Sequence, residues 1–325
     1  MSHTQEMCYH RRKRTFQTLC RALFGVLTFV SIGASYVVVW AQSPSDTIAA
    51  RMELMTRPCC KGMHTGARAG EEWDENKLKM KFCWCPAGFF TMGSPESEEG
   101  RDSDESDENQ VKVELAQGFW LGKVEVTQGQ WTKVKGTEPW KGRSYIKTGA
   151  ECAASMVSWN EAAHFCRKLT EMERNAGRLV GDWSYSLPTE AQWEYACRAD
   201  TSTRFNFGND ESKLGVYTWY YENSWRVDEW SPLGVGLKKS NGWGLQDMHG
   251  NASEWCRDWY TEKLAGGRNP EVTTMALQRV IRGGSVFSTE AECRCAARDK
   301  CHPDFQTNHL GFRVALVRAP EPAHP

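Results

Sequence analysis

The stretch from Asn241 to Tyr260 constrains the fold of this chain more than any other part of the sequence. It reads NGWGLQDMHGNASEWCRDWY, which shows neither the apolar period of a helix nor the alternation of a strand. Its density of Gly, Trp, Asn and carboxylates favours a tightly wound, loop-rich region in which main-chain and side-chain oxygens converge. Asp247 and Glu254 would supply the charge for a hard cation, with neighbouring carbonyl oxygens completing the shell. The segment is therefore a candidate cation site.

The composition of the 325-residue chain is that of an ordinary globular protein. Apolar residues make up 40% of it and the formal net charge is −1. This balance gives no electrostatic reason to expect nucleic acid as a partner. The 15 tryptophans predict an aromatic core that compensates for little regular secondary structure.

The N-terminus has the pattern of a targeting segment. Residues 1–21 are basic, and an uncharged apolar run extends from Ala22 to Ala41. Val39 and Ala41 form a small-residue cleavage site typical of a signal peptide. The run also approaches the ~20 residues that span a bilayer, so an uncleaved membrane anchor remains the alternative. Both interpretations predict an exported protein: secreted, periplasmic, or anchored and facing outside the cytoplasm.

The predicted compartment governs the chemistry of the cysteines. Two of the thirteen, Cys8 and Cys20, lie in or before the targeting segment, and the other eleven would meet an oxidising environment. An odd number leaves at least one thiol free or paired with another chain. Structural disulfides are favoured over zinc because the two CxC pairs lack zinc-site spacing.

Composition changes along the chain divide it into segments. Residues 42–80 are polar and aperiodic and are interpreted as a linker, 81–318 as a single domain, and 319–325 as a tail. Within the domain, the acidic run from Glu96 to Glu108 is interpreted as a solvated loop. The stretch from Val111 to Thr127 alternates like two paired strands around Gly118.

Capping chemistry predicts three helices. In each case a Ser or Thr precedes a Glu or Gln by three residues, so that side chains and backbone amides satisfy each other reciprocally. The three pairs are Thr127 with Gln130, Ser158 with Glu161, and Thr189 with Gln192. Beyond residue 206 no long periodic element is visible. The predicted strands and helices together indicate a single α+β domain.

Eight segments in order now resemble the formylglycine-generating enzyme, or sulfatase-modifying factor, family. They are FFTMGS at Phe89, KVEVTQGQW at Lys123, VSWNEAAHFCRKL at Val157, SLPTEAQWEYACRA at Ser186, GLQDMHGNASEW at Gly244, RGGS at Arg282, RCAAR at Arg294 and LGFRV at Leu310. The resemblance implies a single large, loop-rich α+β domain, the family's variant of the C-type lectin-like fold.

The resemblance also implies a place for the family's chemistry. Its enzymes convert a sulfatase cysteine to formylglycine with oxygen and a copper ion held by two thiolates, which are soft ligands suited to Cu(I). The first thiolate position is Ser288 here and the second is Cys293, while Ser285 matches a residue that lines the substrate pocket. These three are the candidate catalytic residues. His249 and His309 have no evident carboxylate partner and are interpreted as structural.

Matching the family implies a disulfide and a calcium site. Cys197 and Cys295 fall at positions that form a structural disulfide in the family. The implied calcium ligands are two side chains and two main-chain carbonyls, namely those of Asp247 and Glu254 and those of Gly250 and Ala252. The alternative is that Asp247 caps a turn and Glu254 pairs with Arg257 or Arg282.

Two functions remain open from the sequence. The first is a binding or accessory module that keeps the fold and structural calcium but lacks the copper cysteine pair, and takes a peptide, protein or glycan ligand. The alternative is a copper- and oxygen-dependent oxidoreductase acting on a sulfatase cysteine. Since fold does not determine function, the residues at the site must decide between them.

Overall fold

The structure is a computed structural model that describes residues 65–101, 106–143, 145–225 and 231–319. The predicted basic segment, the apolar run 22–41 and residues 42–64 of the predicted linker lie outside the described residues. Within the described ranges, no helix combines the length and apolar character needed to cross a bilayer.

All three helices predicted from capping chemistry are present. They are α1 (Gln128–Lys135), α2 (Trp159–Asn175) and α3 (Glu190–Arg198), and each begins at a complete capping box. The reciprocal bonds satisfy amide groups that the first helical turn leaves without partners. Two single-turn helices follow in the described region, α4 (Leu214–Tyr217) and α5 (Tyr221–Ser224).

Short strands form three sheets. In chain order the strands are β1 (Glu72–Trp73), β2 (Phe82–Cys85), β3 (Gly88–Met92), β4 (Val111–Leu115), β5 (Phe119–Gly122), β6 (Trp183–Ser186), β7 (Ser253–Trp259), β8 (Gly267–Arg268), β9 (Arg279–Arg282), β10 (Arg298–Cys301), β11 (Leu310–Gly311) and β12 (Ala315–Arg318). The sheet orders are β1-β2-β5-β12-β6, β10-β9-β7-β11 and β3-β4-β8. The prediction of a loop-rich α+β domain is confirmed.

The prediction that Val111–Thr127 forms two paired strands is wrong in its pairing. Strands β4 and β5 both form, but β4 pairs with β3 and β8, whereas β5 pairs with β2 and β12. Alternation identifies each strand but does not specify its partner. The turn at Gly118 therefore passes the chain from one sheet to another.

The ordered domain begins before residue 81, so the predicted end of the linker is wrong. Strand β1 pairs with β2 through Glu72 and Trp73. Leu78 and Met80 are buried in the same aromatic core as Phe82. Apolar side chains in the stretch 72–80 are too widely spaced to show a period, which is why the sequence did not reveal this strand.

The core is aromatic, as the tryptophan content predicted. Trp120, Trp131, Trp193 and Trp255 are fully buried. Trp131 stacks on Phe165 of α2 with ring centroids 5.7 Å apart. Each such side chain removes a large apolar area from water. A small number of them is therefore enough to stabilise loops that have few backbone hydrogen bonds of their own.

Candidate functional site

A polar pocket of about 500 Å³ opens beside the end of β9. Its floor is the turn after that strand, with Arg282, Gly283, Gly284 and Ser288 in the lining. The turn is positioned by β7, because Glu254 of β7 pairs in register with Arg282 of β9. The sheet thus carries the RGGS segment to the pocket surface, where the resemblance places the substrate groove.

Close packing explains why the floor needs glycine. Gly284 has φ +67°, and an added Cβ would lie 2.9 Å from Cys293 Sγ and 3.2 Å from Ser288 Cβ. A side chain at this position would be strained by its backbone angle and would also collide with the thiol beneath it. Gly284 therefore separates the pocket from Cys293.

The three candidate catalytic residues lie close together, but they are not equally accessible. The Ser285 amide donates to Ser288 Oγ at 3.1 Å, and Ser285 Oγ accepts from the Phe287 amide. Ser288 lines the pocket, whereas Ser285 is buried and serves the turn. Cys293 is fully buried against Phe205 and Leu214, and burial raises the pKa of its thiol well above the usual range. The prospective second thiolate is thus sealed below the floor.

Arginines in the pocket wall are paired with buried carboxylates. Arg294 donates to both oxygens of Glu108 at 2.7 Å and to Glu98 at 2.8 Å. Arg298 forms a two-bond pair with Glu190 of α3. These paired guanidinium groups fix the wall in place and do not present a surplus of positive charge to a ligand.

The interpretation of Glu96–Glu108 as a solvated loop is therefore wrong at Glu98 and Glu108. Glu108 is buried, and Glu98 contacts the same arginine. Although burial acts to raise the pKa of Glu108, the hydrogen bonds and charge of Arg294 outweigh it and lower the pKa. The sequence missed this role because the partner arginine lies almost two hundred residues away.

One of the two candidate calcium carboxylates is held by a buried arginine. Arg313 donates to both oxygens of Glu254, at 2.6 and 2.7 Å. Glu254 also accepts from the indole of Trp193 at 2.8 Å. The alternative of a carboxylate–arginine pair is thus partly right, but the partner is Arg313 of the LGFRV segment. Asp247 Oδ2 accepts from the Gly236 amide at 2.6 Å.

A third buried carboxylate, missed in the sequence, belongs to the same cluster. Glu125 Oε1 accepts from Asn251 Nδ2 at 2.8 Å. Glu125 Oε2 and Asp247 Oδ1 have no hydrogen-bond partner among the described residues. Burial, then the negative charges of Asp247 and Glu254, raise the pKa of Glu125 well above its usual range. The sequence signal that could have revealed Glu125 is its position between two valines in the segment KVEVT.

The predicted disulfide partners are close neighbours. Cys197 of α3 and Cys295 are fully buried, with their sulfurs 3.7 Å apart. Both are thiols in this structure. A disulfide of about 2.05 Å would require a small approach of the two side chains. The disulfide stays a prediction.

Residues 71–318 match the family model described as the sulfatase-modifying factor enzyme 1-like domain. The chain belongs to this family. The match covers most of the described domain and includes every candidate residue named above. The fold is accordingly the family's loop-rich variant of the C-type lectin-like domain.

Individual relatives agree with this assignment. The chain is 35% identical over 180 residues to the formylglycine-generating enzyme of Mus musculus, covering 50% of this chain and 44% of the relative. It is 31% identical over 209 residues to the Streptomyces coelicolor enzyme of that name, covering 57% and 60%. The chain thus spans about half the length of these curated relatives.

A solved structure supports the fold independently. PvdO from Pseudomonas aeruginosa superimposes with a TM-score of 0.67 at 25% sequence identity, covering 77% of this chain and 99% of that protein. The similarity therefore extends through nearly the whole of PvdO.

Proposed function

We propose that this protein is an exported, calcium-stabilised member of the sulfatase-modifying factor family that binds a peptide segment of a partner protein without oxidising it. The RGGS turn would bind the peptide, and the role would be accessory. The proposal of export depends on the sequence pattern of residues 1–41.

The observation that carries the proposal is the burial of Cys293. The family's copper chemistry needs two thiolates that reach one ion and the substrate. Here one position is Ser288, whose hydroxyl is a poor ligand for Cu(I), and the other is a thiol with no exposed surface beneath Gly284. This arrangement does not favour the oxidoreductase alternative.

The pocket has the features expected for a peptide ligand. Its lining contains carboxylates, guanidinium groups, a hydroxyl and glycine backbone rather than a large apolar surface. A peptide presents alternating main-chain donors and acceptors, which such a surface can pair with. The walls are preorganised by the buried Arg294–Glu108 and Arg298–Glu190 pairs, which reduces the entropy lost on binding.

Two features around Asp247 support the proposal of a structural calcium ion. Two buried carboxylate oxygens, Asp247 Oδ1 and Glu125 Oε2, have no donor within the described part of the chain. The main chain approaches closely here, since a Cβ at Gly250 would lie 2.2 Å from the Trp219 carbonyl oxygen. Asp247, Gly250 and Ala252 would hold the ion together with Glu125, and its charge would offset theirs. Glu254, whose two oxygens already accept from Arg313 and Trp193, would lie beside the ion.

Blocking the pocket tests the proposed binding function. A fluorescent cysteine peptide of the sulfatase type serves as the probe for the full chain. Ala291 lines the pocket, so we expect Ala291→Trp to weaken the affinity by at least about tenfold, or about 1.4 kcal/mol. Fluorescence anisotropy gives the dissociation constants.

Ala276→Trp is the matched control because Ala276 is exposed and lies outside the pocket lining. It should bind the probe within about twofold of the unmodified chain. Equal affinity of the two variants, or no binding of the peptide by the unmodified chain, would refute the proposed site. If the unmodified chain does not bind the peptide, a glycan becomes the ligand to test.

A further inference from the structure

The sheet β3-β4-β8 has an unprotected edge. Strand β3 lies at the end of this sheet and pairs only with β4, through five consecutive residue pairs. No backbone group of β3 forms a backbone hydrogen bond with another segment of the described chain. The strand, Gly88 to Met92, contains no charged residue and no proline, and its register with β4 has no bulge. Proteins usually protect a free edge with one of these devices, so we expect another strand to cover this one.

An exposed aromatic side chain, that of Phe89, lies on this edge strand. Successive side chains alternate across a strand, so Phe89 lies on the face opposite to Phe90 and Met92. That opposite face is packed, because Met92 is buried and the Phe90 ring centroid lies 5.2 Å from that of Tyr195. Phe89 is 78% exposed. The free edge and the uncovered ring therefore belong to the same outer surface.

A groove of about 480 Å³ crosses the same three strands. Thr91 of β3, Lys112 of β4 and Arg268 of β8 are among the residues that line it, and Phe89 borders it as well. Lys112 donates to Thr91 Oγ1 at 2.7 Å, and Arg268 forms an ion pair with Glu114. The polar groups of this surface are thus bonded to one another within the sheet, whereas the Phe89 ring is left exposed beside the groove.

The sequence of β3 is complementary to a second copy of itself. A twofold axis at Phe90 would pair two such strands antiparallel and place Phe89 of each copy opposite Thr91 of its partner. The same axis would place Gly88 opposite Met92 of the partner. Each large side chain then meets a smaller one, and an aromatic residue opposite a β-branched residue is a favourable cross-strand pair. No like charges oppose each other in this pairing, because the strand carries none.

We propose that two copies of this chain associate by antiparallel pairing of their β3 strands. The pairing joins the three-stranded sheets of the two copies into one continuous sheet, and the Phe89 ring of each copy packs over the groove of the other. Such an interface uses the same surface on both copies and leaves neither edge free. None of the groove residues lines the peptide pocket, so the interface is separate from the proposed binding function.

Sedimentation equilibrium of the full chain in a mild detergent tests the interface. We expect the unmodified chain to form dimers, and Phe89→Lys to raise the dimer dissociation constant by at least about tenfold, because it places two charges in the buried seam. Phe305→Lys is the matched control, since Phe305 is an exposed aromatic residue outside this sheet and its groove. Its dissociation constant should stay within about twofold of that of the unmodified chain.

Disulfide trapping tests the register of the two strands. Opposed residues of antiparallel strands have Cα atoms about 4.5 to 5.5 Å apart, which a disulfide can bridge. Under mild oxidation, a mixture of Phe89→Cys and Thr91→Cys chains should form more linked dimer than either variant alone, with the unmodified chain giving the background from the native cysteines. A monomeric unmodified chain, equal association of Phe89→Lys and the unmodified chain, or no excess of linked dimer in the mixture would overturn the proposal.

Discussion

Replacing Arg313 by Met should destabilise the domain by about 3 to 5 kcal/mol, because it leaves buried carboxylates without their cation. Arg313 is fully buried and holds both oxygens of Glu254. It also donates to the main-chain oxygens of Gly122 and Gln246, so three separate segments meet on one side chain. Since domains are stable by only about 5 to 15 kcal/mol, much of the folded population would be lost. Urea unfolding of the full chain measures the change.

Arg318→Met is the matched control. Arg318 is exposed and pairs with Asp182 at 3.1 Å, so its loss should cost less than about 1 kcal/mol. Glu254→Met combined with Arg313→Met should recover part of the stability, since it removes one of the stranded charges. Similar losses for Arg313→Met and Arg318→Met would show that the buried pair does not organise these loops.

Calcium should raise the free energy of unfolding by about 2.7 kcal/mol when its concentration is about 100 times its dissociation constant. The reason is the repulsion among Glu125, Asp247 and Glu254, which a divalent cation would relieve. Burial raises the pKa of Asp247 to about 6, with Glu254 adding to the effect. Because this pKa lies above the unfolded value of about 3.9, the calcium-free domain should lose stability as the pH rises through about 6. The gain from calcium should be largest above that pH.

Asp247→Asn should abolish most of the calcium response, measured by thermal unfolding with added calcium or chelator. Asp258→Asn is the control, since Asp258 is equally buried but accepts from the Glu190 and Val272 amides outside this cluster. It should keep the response. An unchanged midpoint on adding calcium to the unmodified chain would count against the ion.

The helices could be predicted because their capping interactions are local in sequence. The pairing between distant strands could not be predicted. Thr127, Ser158 and Thr189 cap their helices through residues three positions away, so the sequence contains the whole interaction. Strand β12, in contrast, lies between β5 and β6. Alternation within β5 carries no information about a partner almost two hundred residues later. The same limit explains the wrong pairing of β4 with β5.

The candidate site shows a similar division. The family motifs predicted that Ser285, Ser288 and Cys293 lie close to one another, and the structure places them together. It did not reveal that Gly284 seals Cys293 from the pocket, because burial depends on how the turn packs. Nor did it identify Arg313 as the partner of Glu254. Long-range ion pairs leave no local spacing that a sequence pattern can detect.

The most direct test of the central claim is whether the protein oxidises a sulfatase-type cysteine peptide. The full chain is incubated with copper, oxygen and the peptide, and aldehyde is sought by mass spectrometry, with the Streptomyces coelicolor enzyme as the positive control. The sealed thiol and the serine at position 288 predict no aldehyde. Aldehyde that forms with the unmodified chain and disappears with Cys293→Ser would contradict the account.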